Sequence, residues 1–322
     1  MVSTPINRST VRSCVRWNQC VRFCVRCKVW CKIFLWTIEK GGCLTRDTVP
    51  QRGQWAHAPL VFVLAQVRFL PSATAAPEHL RDAIVTRLGA RFPTISQTNS
   101  VSIEINLDAA PNAPRTTPAV AYDLVNNDVN AMVRVQQGAL TYAVTSYVDS
   151  SHFREAWLDI SEALADVHVT TVTRLGLRYV DFLVPPHGRR PEDYVNAPWN
   201  LTGMPTLPGA MRGPDLHVSM VDVAYHVGRM RLQFMRGFGV PSLPMDLQGM
   251  LSPRQQSAQA SPGECGVIDS DRWVDGEHRA DRATLSQLFT QMHTDVSSAF
   301  RTMITPLARR EWDPEAATGD NT

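Results

Sequence analysis

Lysine is almost absent from this sequence. Of its 32 basic side chains only Lys28, Lys32 and Lys40 are lysine, and from residue 44 onward arginine carries every such charge. Cysteine is as scarce there, with Cys265 alone against six in residues 1–43. A single thiol builds neither a disulfide framework nor a thiolate zinc site. A bilayer span needs about 20 apolar residues. The apolar run at 29–38 is shorter, is broken by Lys32, and lacks a small-residue cleavage site. Also missing are a Walker loop, GxGxxG, GxSxG and HExxH, and the nine histidines stand singly. These absences point to a cytoplasmic chain with no cofactor, no metal site and no recognisable catalytic set.

What is present divides sharply. Residues 1–43 hold eight Lys and Arg against Glu39 alone, a net of +7, which leaves the rest at −5 within the overall +2. The leader spaces its thiols as Cys14, Cys20, Cys24, Cys27, Cys31 and Cys43, with one CxxC and no second clean pair or histidine to close a zinc site. An Arg-only body rich in Ala, Pro and Val suggests GC-rich coding, and the leader does not share it. Glu39-Lys40-Gly41-Gly42 is encodable as a ribosome-binding sequence just before Leu44. The expectation is that translation starts near Leu44 and that the leader lies outside the working protein. Peptides from residues 1–43 in the native protein would contradict this.

Hydrophobic residues at 44% and charged ones at 19% describe an ordinary globular body. Residues 59–69 read as a strand, Pro77 opens a helix with Leu80, Ile84 and Leu88 on one face, and Val101, Ile103, Ile105 and Leu107 alternate as a strand. Residues 108–118 read as a loop, and 132–135 with 139–147 as a hairpin. Phe153, Trp157, Ile160 and Leu164 form a helical stripe. A strand ends in Pro185-Pro186. Residues 185–214 then form a Pro/Gly-rich connection whose length suggests a linker or functional loop. Strands at 216–225, 229–236 and 265–270 surround a second loop at 237–262. The last and longest helix carries Leu285, Phe289, Met292, Val296, Phe300 and Ile304, before a tail at 313–322. The order predicts an α+β fold with mostly antiparallel strands and helices on one face. It would be one sheet curled around the last helix or two similar halves, 57–184 and 215–312.

PLVFVLAQVRF (59–69), the Tyr147…Phe153 pair, RLGLRYVDF (174–182), VIDSDRW (267–273) and the closing LFTQMHTDVSSAFRTMIT…EW (288–312) follow one another in this order. As a set they resemble a sporadically distributed bacterial family of uncharacterised proteins, over residues 59–312. The resemblance implies an accessory-genome protein and transfers no catalytic residue. The family's usual Asn after GLRY and one apolar residue is Asp181 here.

Candidate ligand or partner residues lie on two strands. Arg174 and Arg178 flank Gly176 on one strand face beside Tyr179, and paired guanidiniums fork onto phosphate or carboxylate. The competing reading has Gly176 admitting a helix while the arginines pair with Asp181 or Glu162. Arg229, Arg231 and Arg236 lie in RMRLQFMRGFG, whose RGFG opens an RNA-binding strand signature. Pro241 interrupts that signature, and a net charge of −5 disfavours nucleic acid. Asp269-Ser-Asp271-Arg-Trp-Val-Asp275-Gly276 fails calcium-loop spacing and reads as a turn with exposed acids. Cys265 reads as a buried thiol without a base.

Three classes remain. The first is a non-catalytic protein-binding module, antitoxin-, immunity- or regulator-like, whose partner is another protein. The second is a small-ligand binder with an apolar pocket between sheet and last helix, lined by Met220, Met230, Phe234, Met292 and Phe300. The third is a phosphate- or nucleic-acid-binding protein using strand arginines. A cavity with converging polar groups would favour the second.

Overall fold

Residues 60–65 form a continuous run of β-branched, aromatic and other apolar side chains, and such a run suits a strand buried on both faces. In a computed structural model this segment is the middle of a nine-stranded sheet. The structure describes residues 55, 57–104, 115–197, 199, 216–253 and 263–313. The leader, Ile105, Leu107, most of the predicted loop at 108–118 and residues 314–322 lie outside the described residues.

In chain order the elements begin with β1 (Leu60–Arg68), α1 (Pro77–Leu88), β2 (Thr94–Glu104), β3 (Arg115–Val125), β4 (Ala131–Gln136), β5 (Ala139–Val144), α2 (Ser150–Ser161) and α3 (Ala163–Asp166). They continue with β6 (Thr171–Leu183), β7 (His217–Ala224), β8 (Arg229–Gly239), β9 (Gly263–Arg279), α4 (Arg282–Met303) and α5 (Pro306–Trp312). The sheet order is β2-β3-β4-β5-β1-β6-β9-β8-β7, and every neighbouring pair is antiparallel. The fold is α+β. One continuous ladder therefore joins strands from both sides of the 185–214 connection through the β6–β9 pair.

The helices pack on one face over the main core, where Leu80 and Ile84 of α1, Phe153, Trp157 and Ile160 of α2, and Leu285, Phe289, Met292 and Val296 of α4 are buried. Asp149 and Asp281 start α2 and α4 by accepting hydrogen bonds from the backbone N–H groups of His152 and Thr284. On the other face a smaller cluster lays Leu243, Leu247 and Leu251 against Phe62, Leu64, Val180 and Val267.

Several boundaries differ from the sequence reading. β3 was hidden by Pro118, which reads as a breaker. Its pairing with β4 covers only Ala121–Val125, so the proline sits where the strand is laddered to β2 alone. β9 is 17 residues long and runs straight through Asp269–Gly276, where a turn with exposed acids was expected. Asp269 is buried there because Arg178 neutralises it at 2.7 Å. The first part of the 185–214 connection is packed: Tyr194 stacks on Trp312 at 5.5 Å, and Val195 bridges to Ile304.

The β7–β8 hairpin shows how closely the chain approaches itself. Gly228 has φ +78°, and a Cβ there would stand 2.0 Å from the carbonyl oxygen of Trp273. Gly228→Ala is expected to cost ~2 kcal/mol or more through strain and displacement of the hairpin tip, read as a lower denaturation midpoint. An unchanged midpoint would contradict the tight contact.

Candidate functional site

Strand alternation separates the six candidate residues. On β6, Leu175, Leu177, Tyr179, Asp181 and Leu183 face the helices, whereas Arg174, Gly176 and Arg178 face away. On β8, Arg229 and Arg231 share the open face with Arg174 and Arg178, while Arg236 follows Phe234 on the helix side. No single site joins them.

Three of the four open-face arginines, Arg174, Arg178 and Arg231, are engaged by carboxylates. Arg178 binds Asp269 in fork geometry at 2.8 and 2.7 Å and also pairs with Asp246. Arg174 meets Asp275 at 3.2 Å and lies over the Trp273 ring at 4.8 Å, and Arg231 meets Asp222 at 3.1 Å. Arg236 is buried between Glu192 and Glu264, at 2.7 and 2.6 Å. Neither Asp181 nor Glu162 is the partner expected for Arg174 and Arg178. Asp181 points through the opposite face, and Glu162 pairs with Arg87 and Arg282. Gly176 admits no helix either, since a Cβ there would meet only Trp273, at 4.0 Å. Burial raises the Asp271 carboxyl to about 6 on this face, with the charge of Asp269 adding to it. Burial also raises the Cys265 thiol, the opposite of what a nucleophile needs.

The expected apolar pocket residues are dispersed as well. Met230, Phe234 and Met292 are core, and Met220 is 55% exposed on the outer strand. Only Phe300 reaches a cavity.

That cavity, about 160 Å³, lies between the helix face of β6 and β9 and the last turns of α4. A space of this size accepts a body about as large as benzene. Its helix wall is His293, Val296, Ser297, Phe300 and Arg301, spaced three and four apart so that they share one stripe. Trp55 closes the side, its ring 5.8 Å from Phe300 and 6.3 Å from Trp312.

The sheet side of the cavity is polar. Tyr179 shares a 3.0 Å hydrogen bond with His293 Nδ1 and a second with Tyr147, whose hydroxyl burial raises to about 12. Burial likewise holds the His293 imidazole below its usual range, aided by the charges of Arg301 and Arg154, so it is neutral at pH 7. Asp181 is 4% exposed and, among the described residues, its carboxyl has no hydrogen-bond partner. Burial, and then the charge of Asp269, raises it to about 8, so it too is neutral at pH 7. Ser270, directly across from Tyr179 in the ladder, is fully buried, and its Oγ also lacks a partner.

Buried polar groups without partners cost about 1–3 kcal/mol each and are rare without a reason. Asp181 and Ser270, on adjacent strands and lining one cavity, form its donor-and-acceptor floor. Sequence reasoning missed both. A signal existed, because Asp181 interrupts the apolar alternation Leu175, Leu177, Tyr179, Leu183, and Ser270 interrupts Ile268 and Val274. Among the described residues no cluster of His, Cys, Asp or Glu could hold a metal ion, and no helix is long and apolar enough to cross a membrane. No family model, curated protein or solved structure matches the chain, so the cavity's own chemistry carries the functional argument.

Proposed function

We propose that this protein binds a small molecule in the cavity between β6, β9 and α4. The observation that supports the reading is the pair of unpartnered buried groups, Asp181 and Ser270, facing a benzene-sized space with aromatic sides. A ligand with a hydrogen-bonding end and a flat apolar body would satisfy the floor and fill the walls. The strand arginines support no phosphate or nucleic-acid reading, since carboxylates neutralise Arg174, Arg178, Arg231 and Arg236. Ser297 lines the cavity from the helix, so Ser297→Trp would fill it without touching the floor. Fragment-sized aromatic probes screened by ligand-detected NMR are expected to bind the full chain at one competitive site and to lose binding in Ser297→Trp. Equal binding to both proteins would count against the reading.

A second reading, the protein-binding module, is favoured by β7. It is the outermost strand beside β8, and Val218, Met220 and Val221 are exposed on it. Exposed, apolar outer strands invite an added strand from a partner. Met220→Lys would weaken such pairing and leave the cavity untouched.

A further inference from the structure

The charges around the cavity restrict what it can hold. Of its titratable lining groups, Asp149 is occupied as the cap of α2, while Asp181 and His293 are both neutral at pH 7. Tyr147 and Tyr179, raised by burial, are neutral too. Arg301 is different. Its half-buried guanidinium lines the cavity, and among the described residues it has no carboxylate within ion-pair distance. Arg309 adds a second positive charge beside it, donating to the Arg301 carbonyl at 2.5 Å. Asp313 is the acid that acts on Arg301, and it does so without a direct pair. Burial and Arg309 together weaken the hold of Arg301 on its proton, as expected of a cation lacking its counter-ion. Arg301 stands on the helix wall of the cavity, about two turns beyond His293.

We infer that the ligand is a small organic acid, with its carboxylate on Arg301, a flat body of about one ring beside Trp55 and Phe300, and a hydroxyl or similar group on Asp181 and Ser270. This deepens the small-molecule reading and rests on it. The planar guanidinium fork matches a carboxylate, and a desolvated, unpaired arginine gains more from one than an exposed arginine does. A cationic amine would meet neutral Asp181 and the positive Arg301, and the one anionic lining group, Asp149, already accepts from the first turn of α2. A phenolic hydroxyl donates and accepts, as both floor groups require.

Three probes share the 4-hydroxyphenyl ring and carry an anionic, a neutral or a cationic group opposite the hydroxyl at pH 7: 4-hydroxybenzoate, 4-hydroxybenzyl alcohol and 4-hydroxybenzylamine. Calorimetry on the full chain at pH 7 is expected to rank acid above alcohol above amine, with the acid at least about tenfold tighter than the alcohol. Arg301→Gln should remove that advantage and leave alcohol affinity unchanged, and Arg301→Lys should restore part of it. If the alcohol or amine binds as tightly as the acid, or Arg301→Gln weakens all three equally, the organic-acid inference falls and the ligand cavity stands. If none of the three binds, both fall.

Discussion

Asp295→Ala should lower the stability of this protein by about 3 kcal/mol, the loss expected when one member of a buried ion pair is removed. Its partner Arg272 is 2% exposed on β9 and reaches Asp295 of α4 at 3.0 Å. The same guanidinium donates to the carbonyls of Val227 at 2.8 Å and Arg229 at 3.2 Å, also engages that of Trp273, and stacks 4.3 Å over Tyr225. It thereby ties the tip of the β7–β8 hairpin to the long helix. Those carbonyls remain after Asp295→Ala but carry no charge to balance the cation, and Gln291 loses its acceptor at 2.9 Å. Arg272→Met combined with Asp295→Leu should recover most of the loss, because the desolvation cost of both charges disappears with them. Denaturant midpoints of Arg272→Met, Asp295→Leu and the double variant give the coupling directly. A double variant less stable than either single one would contradict this account.

The second large effect is expected from Asp181→Asn, in the opposite direction. A carboxyl whose pKa folding raises from 3.8 to about 8 holds its proton more tightly in the folded chain. Its contribution to stability is therefore greatest below 3.8 and is lost as pH climbs toward 8. Each pH unit in that interval costs ~1 kcal/mol for one such group. Asp271, raised to about 6, adds a slope of the same sign at lower pH and His293, lowered from 6.5, one of opposite sign, so the window from 7 to 8 is the one in which Asp181 dominates. Stability of the natural chain should fall across that window. Asp181→Asn, which keeps the shape and never ionises, should flatten the slope and melt higher at pH 8. Parallel slopes in the two proteins would mean that Asp181 is not a buried neutral acid.

The sequence disclosed much of this fold and little of its site. The stripes Phe153–Trp157–Ile160 and Leu285–Phe289–Met292–Val296 were legible because helical period and burial agree there. The run at 60–68 was legible because β-branched, aromatic and other apolar residues crowd it and Pro71 closes it. β3 was not, because a central proline reads as a break unless the neighbouring ladder is known to stop short of it. The acids of 267–276 looked like a turn because their neutralising partner Arg178 is 91 residues away from Asp269 in the chain. The floor of the cavity failed on similar grounds. Asp181 and Ser270 are single interruptions of apolar alternation, and their meaning appears only once β6 and β9 are seen to be neighbours.

The most direct test of the ligand cavity is the carbon-13 carboxyl resonance of Asp181 in aspartate-labelled full-length protein, identified by its disappearance in Asp181→Asn. It should titrate near pH 8 in the free protein and move when 4-hydroxybenzoate is added. A carboxyl that titrates near 4 and does not respond to the probe would contradict both the buried, neutral acid and the proposed binding site.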